Sequence, residues 1–111
     1  MNTKLEKFIE TCIAKGEAEE SGNLVESKDG EYYETINSIY LYLKENNRLD
    51  ELFTLHDHEN QYVRLWSASY CLQFPNSKAE EVLEELANLK ALIGFTATMT
   101  LQEWRKGNLK F

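Results

Sequence analysis

The chain has 111 residues, with 19 acidic and 12 basic side chains and a formal net charge of −7. This length predicts one domain and is too short for a two-domain cofactor enzyme, while 42% hydrophobic residues argue against a disordered chain. The acidic balance disfavours a general affinity for the phosphates of nucleic acid, but it suits a basic protein partner.

The N-terminal segment predicts a cytoplasmic protein. Charged residues from Lys4 onward interrupt any apolar run of signal-peptide length, and no later window offers the roughly eighteen apolar residues that cross a membrane. Cys12 and Cys71 each lie in an apolar helical pattern, which is typical of reduced, buried thiols.

Two amphipathic helices are predicted in the first half of the chain. Apolar residues at i, i+3 and i+4 spacing over 5–13 predict a helix over residues 4–20. The polar stretch that follows predicts a loop as far as Gly30, with an extra helical turn around residues 24–25. A tyrosine-rich apolar stripe then predicts a second helix over residues 31–45.

A short helix is predicted over residues 49–55 and a longer one over 61–74. Nine of the fourteen positions in the longer helix are apolar, so we expect neighbours on two of its sides. Pro75 ends it, because proline cannot donate the next backbone hydrogen bond.

Two further helices are predicted after Pro75. Ser77 and Glu80 have the spacing of a capping box at the start of a helix that extends to about Leu89. A loop centred on Gly94 precedes the last helix, over residues 97–106, which Gly107 would cap.

No segment has the sustained period-two alternation of a strand, so the sequence predicts an all-α fold with five to six antiparallel helices. We expect a single domain over residues 1–111. Residues 1–46 would form N-terminal cap helices, and residues 47–111 would form repeat-like helices.

The stretch from the turn at His56 to the end of the next helix resembles a HEAT repeat. It has acidic and amide residues in the turn, followed by Val63-Arg64, with Ala68 and Leu72 further along the helix. The resemblance implies that Val63 packs inward while the arginine fork reaches carboxylates or carbonyls of the turn.

Two blocks are similar to a small bacterial domain-of-unknown-function family with a HEAT-like helical-repeat fold. One is Val63-Arg64-Leu65-Trp66-x-Ala68, and the more specific one is Gly94-Phe95-x-Ala97-x-Met99-Thr100-Leu101-x-Glu103-Trp104-Arg105-Lys106-Gly107. The resemblance covers about residues 32–109. It implies a short helical solenoid, and helical proteins of this kind are often immunity partners in toxin systems.

Chemistry-bearing motifs are sparse. The segment His56-Asp57-His58-Glu59 has the residue types of a metal site, but no third ligand is spaced to complete one. We therefore expect a solvated turn that caps the following helix. The chain has no Gly-x-Ser-x-Gly motif and no phosphate-binding loop, so we expect no catalytic residues, no metal and no cofactor.

Carboxylates and tyrosines are the candidate contacts for a protein partner. Four glutamates fall within two turns of the predicted 77–89 helix, where they form either a solvated face or a docking surface. Four tyrosines in the second helix span its circumference, and tyrosine is enriched at interfaces; the alternative is that they pack inward with hydrated hydroxyl groups. Trp66 and Trp104 are expected in the core. The candidate partner-binding residues are Tyr32, Tyr42, Glu80, Glu81, Glu84 and Glu85.

The acidic charge is concentrated in most of the chain. Residues 1–93 carry 9 basic and 18 acidic residues, whereas residues 94–111 carry three basic and one acidic residue, including Arg105, Lys106 and Lys110. The acidic charge and the sparse catalytic motifs favour a non-catalytic protein-binding domain. The resemblance implies more specifically a cytoplasmic immunity protein that neutralises a basic, nuclease-type toxin. The alternatives are a scaffold or oligomerisation domain and, disfavoured by the charge, a DNA-glycosylase-like enzyme.

Overall fold

The computed structural model describes residues 3–22, 26–74 and 77–109. These residues form an all-α fold without a strand, as the sequence predicts. The predicted turn at Leu24 and Val25, the helix stop at Pro75 and the basic residue Lys110 lie outside the described residues. The helices are α1 (Thr3–Ser21), α2 (Glu26–Glu45), a 3₁₀-helix (Leu49–Leu55), α3 (Gln61–Cys71), α4 (Ala79–Ala87) and α5 (Leu92–Arg105).

The chain divides into two compact units, Met1–Glu51 and Leu52–Phe111, and the boundary falls inside the 3₁₀-helix. The single domain expected for the whole chain stays a prediction. In unit 1, α1 and α2 pack on each other. In unit 2, α4 contacts both α3 and α5, and α3 also contacts α5.

Unit 1 is held together by the apolar stripes of its two helices. Phe8 and Cys12 of α1 are fully buried, as are Ile36 and Leu43 of α2. Helix α2 begins at Glu26, five residues before the predicted start, so the loop expected up to Gly30 is wrong. Its first turns lack an apolar stripe but contain good helix formers such as glutamate and lysine, and one glycine lowers helix stability without breaking the helix.

Helix α3 begins with an N-cap. The side-chain oxygen of Asn60 accepts hydrogen bonds from the backbone N–H groups of Tyr62 (2.9 Å) and Val63 (3.2 Å). Val63 is fully buried, while Arg64 Nη1 donates to the carbonyls of His58 (2.6 Å) and Glu59 (3.2 Å). Val63 therefore packs inward, and Arg64 hydrogen-bonds to carbonyls of the preceding turn, as expected.

The end of α3 and the start of α4 differ from the sequence prediction. Helix α3 ends at Cys71, three residues early, and the chain continues in tight turns, with Phe74 N–H donating to the Cys71 carbonyl. Ser77 Oγ accepts from Ala79 N–H, but Ser77 N–H donates to the Phe74 carbonyl. The reciprocal half of the predicted capping box is therefore absent, and Lys78, at φ 62°, is the N-cap of α4.

Helix α5 also begins five residues before its predicted start. Gly94 lies inside this helix and is buried against the turn that follows α4, where an added Cβ would be 1.9 Å from the Leu89 carbonyl oxygen and 3.4 Å from the Leu86 carbonyl oxygen at the end of α4. The loop predicted around Gly94 is therefore wrong, since this glycine does not form a turn but lets the start of α5 lie close to the backbone of the preceding turn.

Gly107, at φ +79°, follows the C-terminal end of α5 as predicted. Its N–H donates to the Trp104 carbonyl, and Asn108 N–H donates to the Glu103 carbonyl, which is the Schellman pattern. Trp66 and Trp104, expected in the core, are only partly buried. None of the described helices is long and apolar enough to span a membrane.

Candidate protein-binding surfaces

The four glutamates of α4 are exposed because the helix buries its other face. Ala79, Leu83 and Leu86 are at most 2% exposed and face the core of unit 2. The four glutamates lie on the other side of the helix, as expected for a helix with one apolar stripe. We call Glu80, Glu81, Glu84 and Glu85 the α4 glutamate row.

Two members of the α4 glutamate row share an arginine of α5. Arg105 Nη2 lies 3.2 Å from Glu80 Oε2 and 3.9 Å from Glu84 Oε2, with all three side chains about half exposed. Exposed pairs of this kind contribute roughly 0–1 kcal/mol because water screens them and ordering the side chains costs entropy. The pair is therefore weak enough to be exchanged for another partner.

The other two members, Glu81 and Glu85, lie one helical turn apart on the exposed side of α4. Neither carboxylate forms an ion pair with a residue in the described ranges 3–22, 26–74 and 77–109. Their charge is therefore available to a partner.

The charges of the α4 glutamate row do not all stabilise helix α4. Glu80 and Glu81 lie in the first turn of α4, where negative charge interacts favourably with the helix dipole. Glu84 and Glu85 lie in the last turn, which contains no basic residue, and there a carboxylate costs roughly 0.3–1 kcal/mol at low ionic strength. The second pair thus opposes the stability of its own helix, which is a reason to seek a role for it outside the fold.

A shallow groove runs between α4 and α5 beside Arg105. Glu84 and Asn88 line one wall, and Thr98 and Gln102 line the other. The remaining lining residues are Ala87, Leu101 and Arg105.

Sequence reasoning missed an exposed apolar stripe on α5. Leu92, Phe95 and Met99 are 46%, 65% and 39% exposed, and their i, i+3, i+7 spacing puts them on one side of the helix. Ile93, Ala97 and Leu101 form a separate, buried stripe. The second stripe is detectable in the sequence once the helix is extended back to Leu92. We call the exposed residues the α5 apolar stripe.

The two candidate tyrosines lie in unit 1, whereas the α4 glutamate row lies in unit 2. Tyr32 is half-buried and lines a groove between α1 and α2 with the charged residues Lys7, Glu10 and Glu31. Ten residues separate Tyr32 from Tyr42, which places them about 15 Å apart along α2. The tyrosines therefore do not form one compact patch.

Cations within the chain already surround the ring of Tyr42. Lys4 Nζ lies 4.9 Å and Arg48 Cζ 5.7 Å from the ring centre, and Arg48 Nη1 is 3.4 Å from the hydroxyl oxygen. Arg48 is in turn paired with Glu51, and its hydrogen bond to that carboxylate raises the pKa of the guanidinium. Tyr42 thus links the start of α1 to the segment after α2, although its side chain stays partly exposed.

The histidine turn is less solvated than the sequence predicts. His56 is buried and its Nδ1 lies 2.9 Å from the Ser77 carbonyl oxygen, so Nδ1 carries the proton and donates. Burial lowers the pKa of His56, against the opposing effect of its contacts with the backbone of Ser77 and Ser67. Its Nε2 has no hydrogen-bond partner in the described part of the chain.

The Nδ1 atom of His58 also hydrogen-bonds to the backbone of the turn, because it accepts from the N–H group of Asn60 at 3.0 Å. Across the described residues, no group of three or more histidine, cysteine, aspartate or glutamate side chains is arranged to hold a metal ion.

Both cysteines are buried free thiols, as the sequence predicts. Burial raises the pKa of Cys71 to about 12 and also raises that of Cys12. Because the thiolate is the reactive form, neither cysteine is suited to act as a nucleophile near neutral pH.

Comparisons with protein-family models, with curated proteins and with solved structures find no match to this chain. The fold and the surfaces described above are therefore what supports a functional assignment.

Proposed function

We propose that this chain is a non-catalytic protein-binding domain whose α4 glutamate row meets a basic protein surface. The observation that carries the proposal is the charge of Glu81 and Glu85, which lie on an exposed helix face and form no ion pair with any residue that the structure describes. The position of Glu84 and Glu85 supports it, because carboxylates in the last turn of a helix are unfavourable to the helix dipole and only Glu84 lies near a cation, Arg105, at 3.9 Å, among the described residues.

The partner that fits this surface best is a nuclease-type bacterial toxin, and the chain would act in the cytoplasm as its immunity protein. Nucleases present basic surfaces to nucleic acid, and a carboxylate row is complementary to such a surface. Charge complementarity also speeds association, which suits an inhibitor that must capture its target quickly. The HEAT-like resemblance belongs to the same proposal, since Val63 and Arg64 have the contacts expected for that repeat.

Co-expression with the products of the genes on either side of this chain's gene, one of which the proposal expects to be a nuclease, tests the proposal. We expect the wild-type chain to protect cells that produce this nuclease and to co-purify with it. The double variant Glu81→Lys, Glu85→Lys should protect poorly, because it reverses two charges on an exposed face without disturbing the core.

A charge-matched control is available on α1. Glu17 and Glu20 are also exposed, so the variant Glu17→Lys, Glu20→Lys has the same net charge as the α4 variant. The control should protect like the wild type. Failure of the wild-type chain to bind the nuclease would refute the toxin assignment, and equal loss in both variants would refute the placement on α4. A stable homodimer that binds no other protein would favour the scaffold alternative.

A further inference from the structure

The α5 apolar stripe is an exposed surface that the fold does not use. Leu92, Phe95 and Met99 follow one another along about 10 Å of helix, and Phe95 exposes almost two thirds of its surface. The exposed apolar residues of α2, in contrast, face different directions: Leu41 lies about 80° and Tyr42 about 180° around the helix from Tyr33. Scattered exposed apolar residues are normal on proteins, whereas contiguous ones mark interaction surfaces.

The α5 apolar stripe adjoins the groove between α4 and α5. Phe95 does not line the groove itself, but it precedes the lining residues Thr98 by three positions and Gln102 by seven, so it lies beside the groove wall on α5. The opposite wall contributes the Glu84 carboxylate. An apolar anchor position, at Phe95, and an anionic position, at Glu84, therefore border the same groove on unit 2.

The size of this surface decides what kind of occupant it fits. A stable dimer buries about 800 Å² on each partner, which three partly exposed side chains and a shallow groove do not provide. They match the width of one short segment, such as two to three turns of a helix. The local charge favours a basic segment, because the negative charge of the α4 glutamate row is larger than the positive charge of Arg105.

Arg105 shows which cation the groove accepts. Its guanidinium lies between Glu80 and Glu84, at 3.2 and 3.9 Å from their oxygens, and remains about half exposed. The planar guanidinium suits carboxylates better than an ammonium does. An arginine from outside the chain could take the same carboxylates if Arg105 moves aside.

We infer that the α5 apolar stripe and the α4–α5 groove together bind one segment of the partner protein, which carries apolar side chains beside an arginine. The apolar side chains pack on Phe95 and Met99, and the arginine displaces Arg105 from Glu80 and Glu84. Arg105 is thus an internal competitor of the ligand. The inference rests on the proposed protein-binding role and specifies the chemistry of the segment bound.

A display library of random 16-residue peptides, selected on the whole chain, tests this inference. We expect the recovered peptides to combine apolar residues at helical spacing with arginine. Their affinity should fall roughly tenfold in Phe95→Ser, as for a central interface anchor, and stay unchanged in Leu41→Ser. Both substitutions remove an exposed apolar side chain, so neither should unfold the protein.

Substitution of Arg105 gives a second readout with the opposite sign. Arg105→Gln should tighten peptide binding about threefold, which corresponds to the release of one weak exposed ion pair. Lys7→Gln changes the net charge equally from an exposed position in unit 1 and should have a smaller effect.

Several results would overturn the inference. These are the recovery of no peptide, the recovery of acidic peptides, binding that is insensitive to Phe95→Ser, or a stable dimer that Phe95→Ser dissociates. If nuclease binding depends on Glu81 and Glu85 but not on Phe95, the inference fails while the proposed function stands. If the nuclease does not bind at all while the peptides bind as expected, the toxin assignment fails alone.

Discussion

A methyl group added at Gly94 should destabilise unit 2 strongly. The Cβ of Gly94→Ala would lie 1.9 Å from the Leu89 carbonyl oxygen and 2.8 Å from its carbon, whereas ordinary contacts begin at 3.4 Å. The turn that contains Leu89 and the start of α5 would therefore have to separate by about 1.5 Å. The obstacle is backbone, so no side chain can rotate to relieve it.

The expected cost follows from two opposing contributions. Overpacking costs about 1–3 kcal/mol even where the surroundings can adjust, while replacing glycine by alanine inside a helix returns roughly 0.5–1 kcal/mol. We expect a net loss of about 2 kcal/mol, or a decrease in Tm of roughly 10 °C for a domain of this size.

Thermal and urea unfolding followed by circular dichroism measures this loss. Gly30→Ala in α2 is the matched control, because its added Cβ has no neighbour within 4 Å, and it should be neutral or stabilising. If Gly94→Ala were as stable as the wild type, the close packing of α5 on the turn that follows α4 would be wrong.

Three further predictions concern single side chains. The free energy of unfolding should fall as the pH drops below about 6.5, by at most about 1.4 kcal/mol per pH unit, because His56 takes up a proton at its ordinary pKa in the unfolded chain but only at lower pH in the folded chain. In His56→Phe, Tm should change less between pH 7.5 and 5.5 than in the wild type. An unchanged pH dependence would contradict the lowered pKa of His56. Tyr42→Ala should lower stability by about 1 kcal/mol through loss of its cation–π contacts, with Tyr42→Phe nearly neutral in the same denaturation assay. Cys12 and Cys71 should resist a thiol reagent at pH 8 until urea unfolds the chain, and rapid labelling of the native protein would show that they are not buried.

The sequence predicts the helices well where an apolar stripe and a cap occur together. The 3₁₀-helix has the predicted limits 49–55, and α3 begins at the predicted residue because Asn60 caps it. The starts of α2 and α5 are missed by five residues for different reasons. In α2 the first turns are polar and give no apolar stripe to detect. In α5 a glycine, which is typical of turns, lies inside the helix at a close backbone contact.

The candidate surface could be predicted only in part. The spacing of the α4 glutamates and the burial of Ala79, Leu83 and Leu86 follow from one helical stripe. The pairing of Arg105 with Glu80 could not be predicted, because 25 residues separate them and their contact depends on how α4 packs on α5. The inward position of His56 was missed for the same reason, since its hydrogen-bond partner Ser77 lies 21 residues away.

The association rate with the purified nuclease domain tests the central claim most directly. Stopped-flow measurements at low and high ionic strength should show rapid binding that slows as salt screens the α4 glutamate row. The Glu81→Lys, Glu85→Lys variant should associate roughly tenfold more slowly at low salt, with little change in Glu17→Lys, Glu20→Lys. Equal association rates for the wild type and both variants would contradict a binding surface on α4.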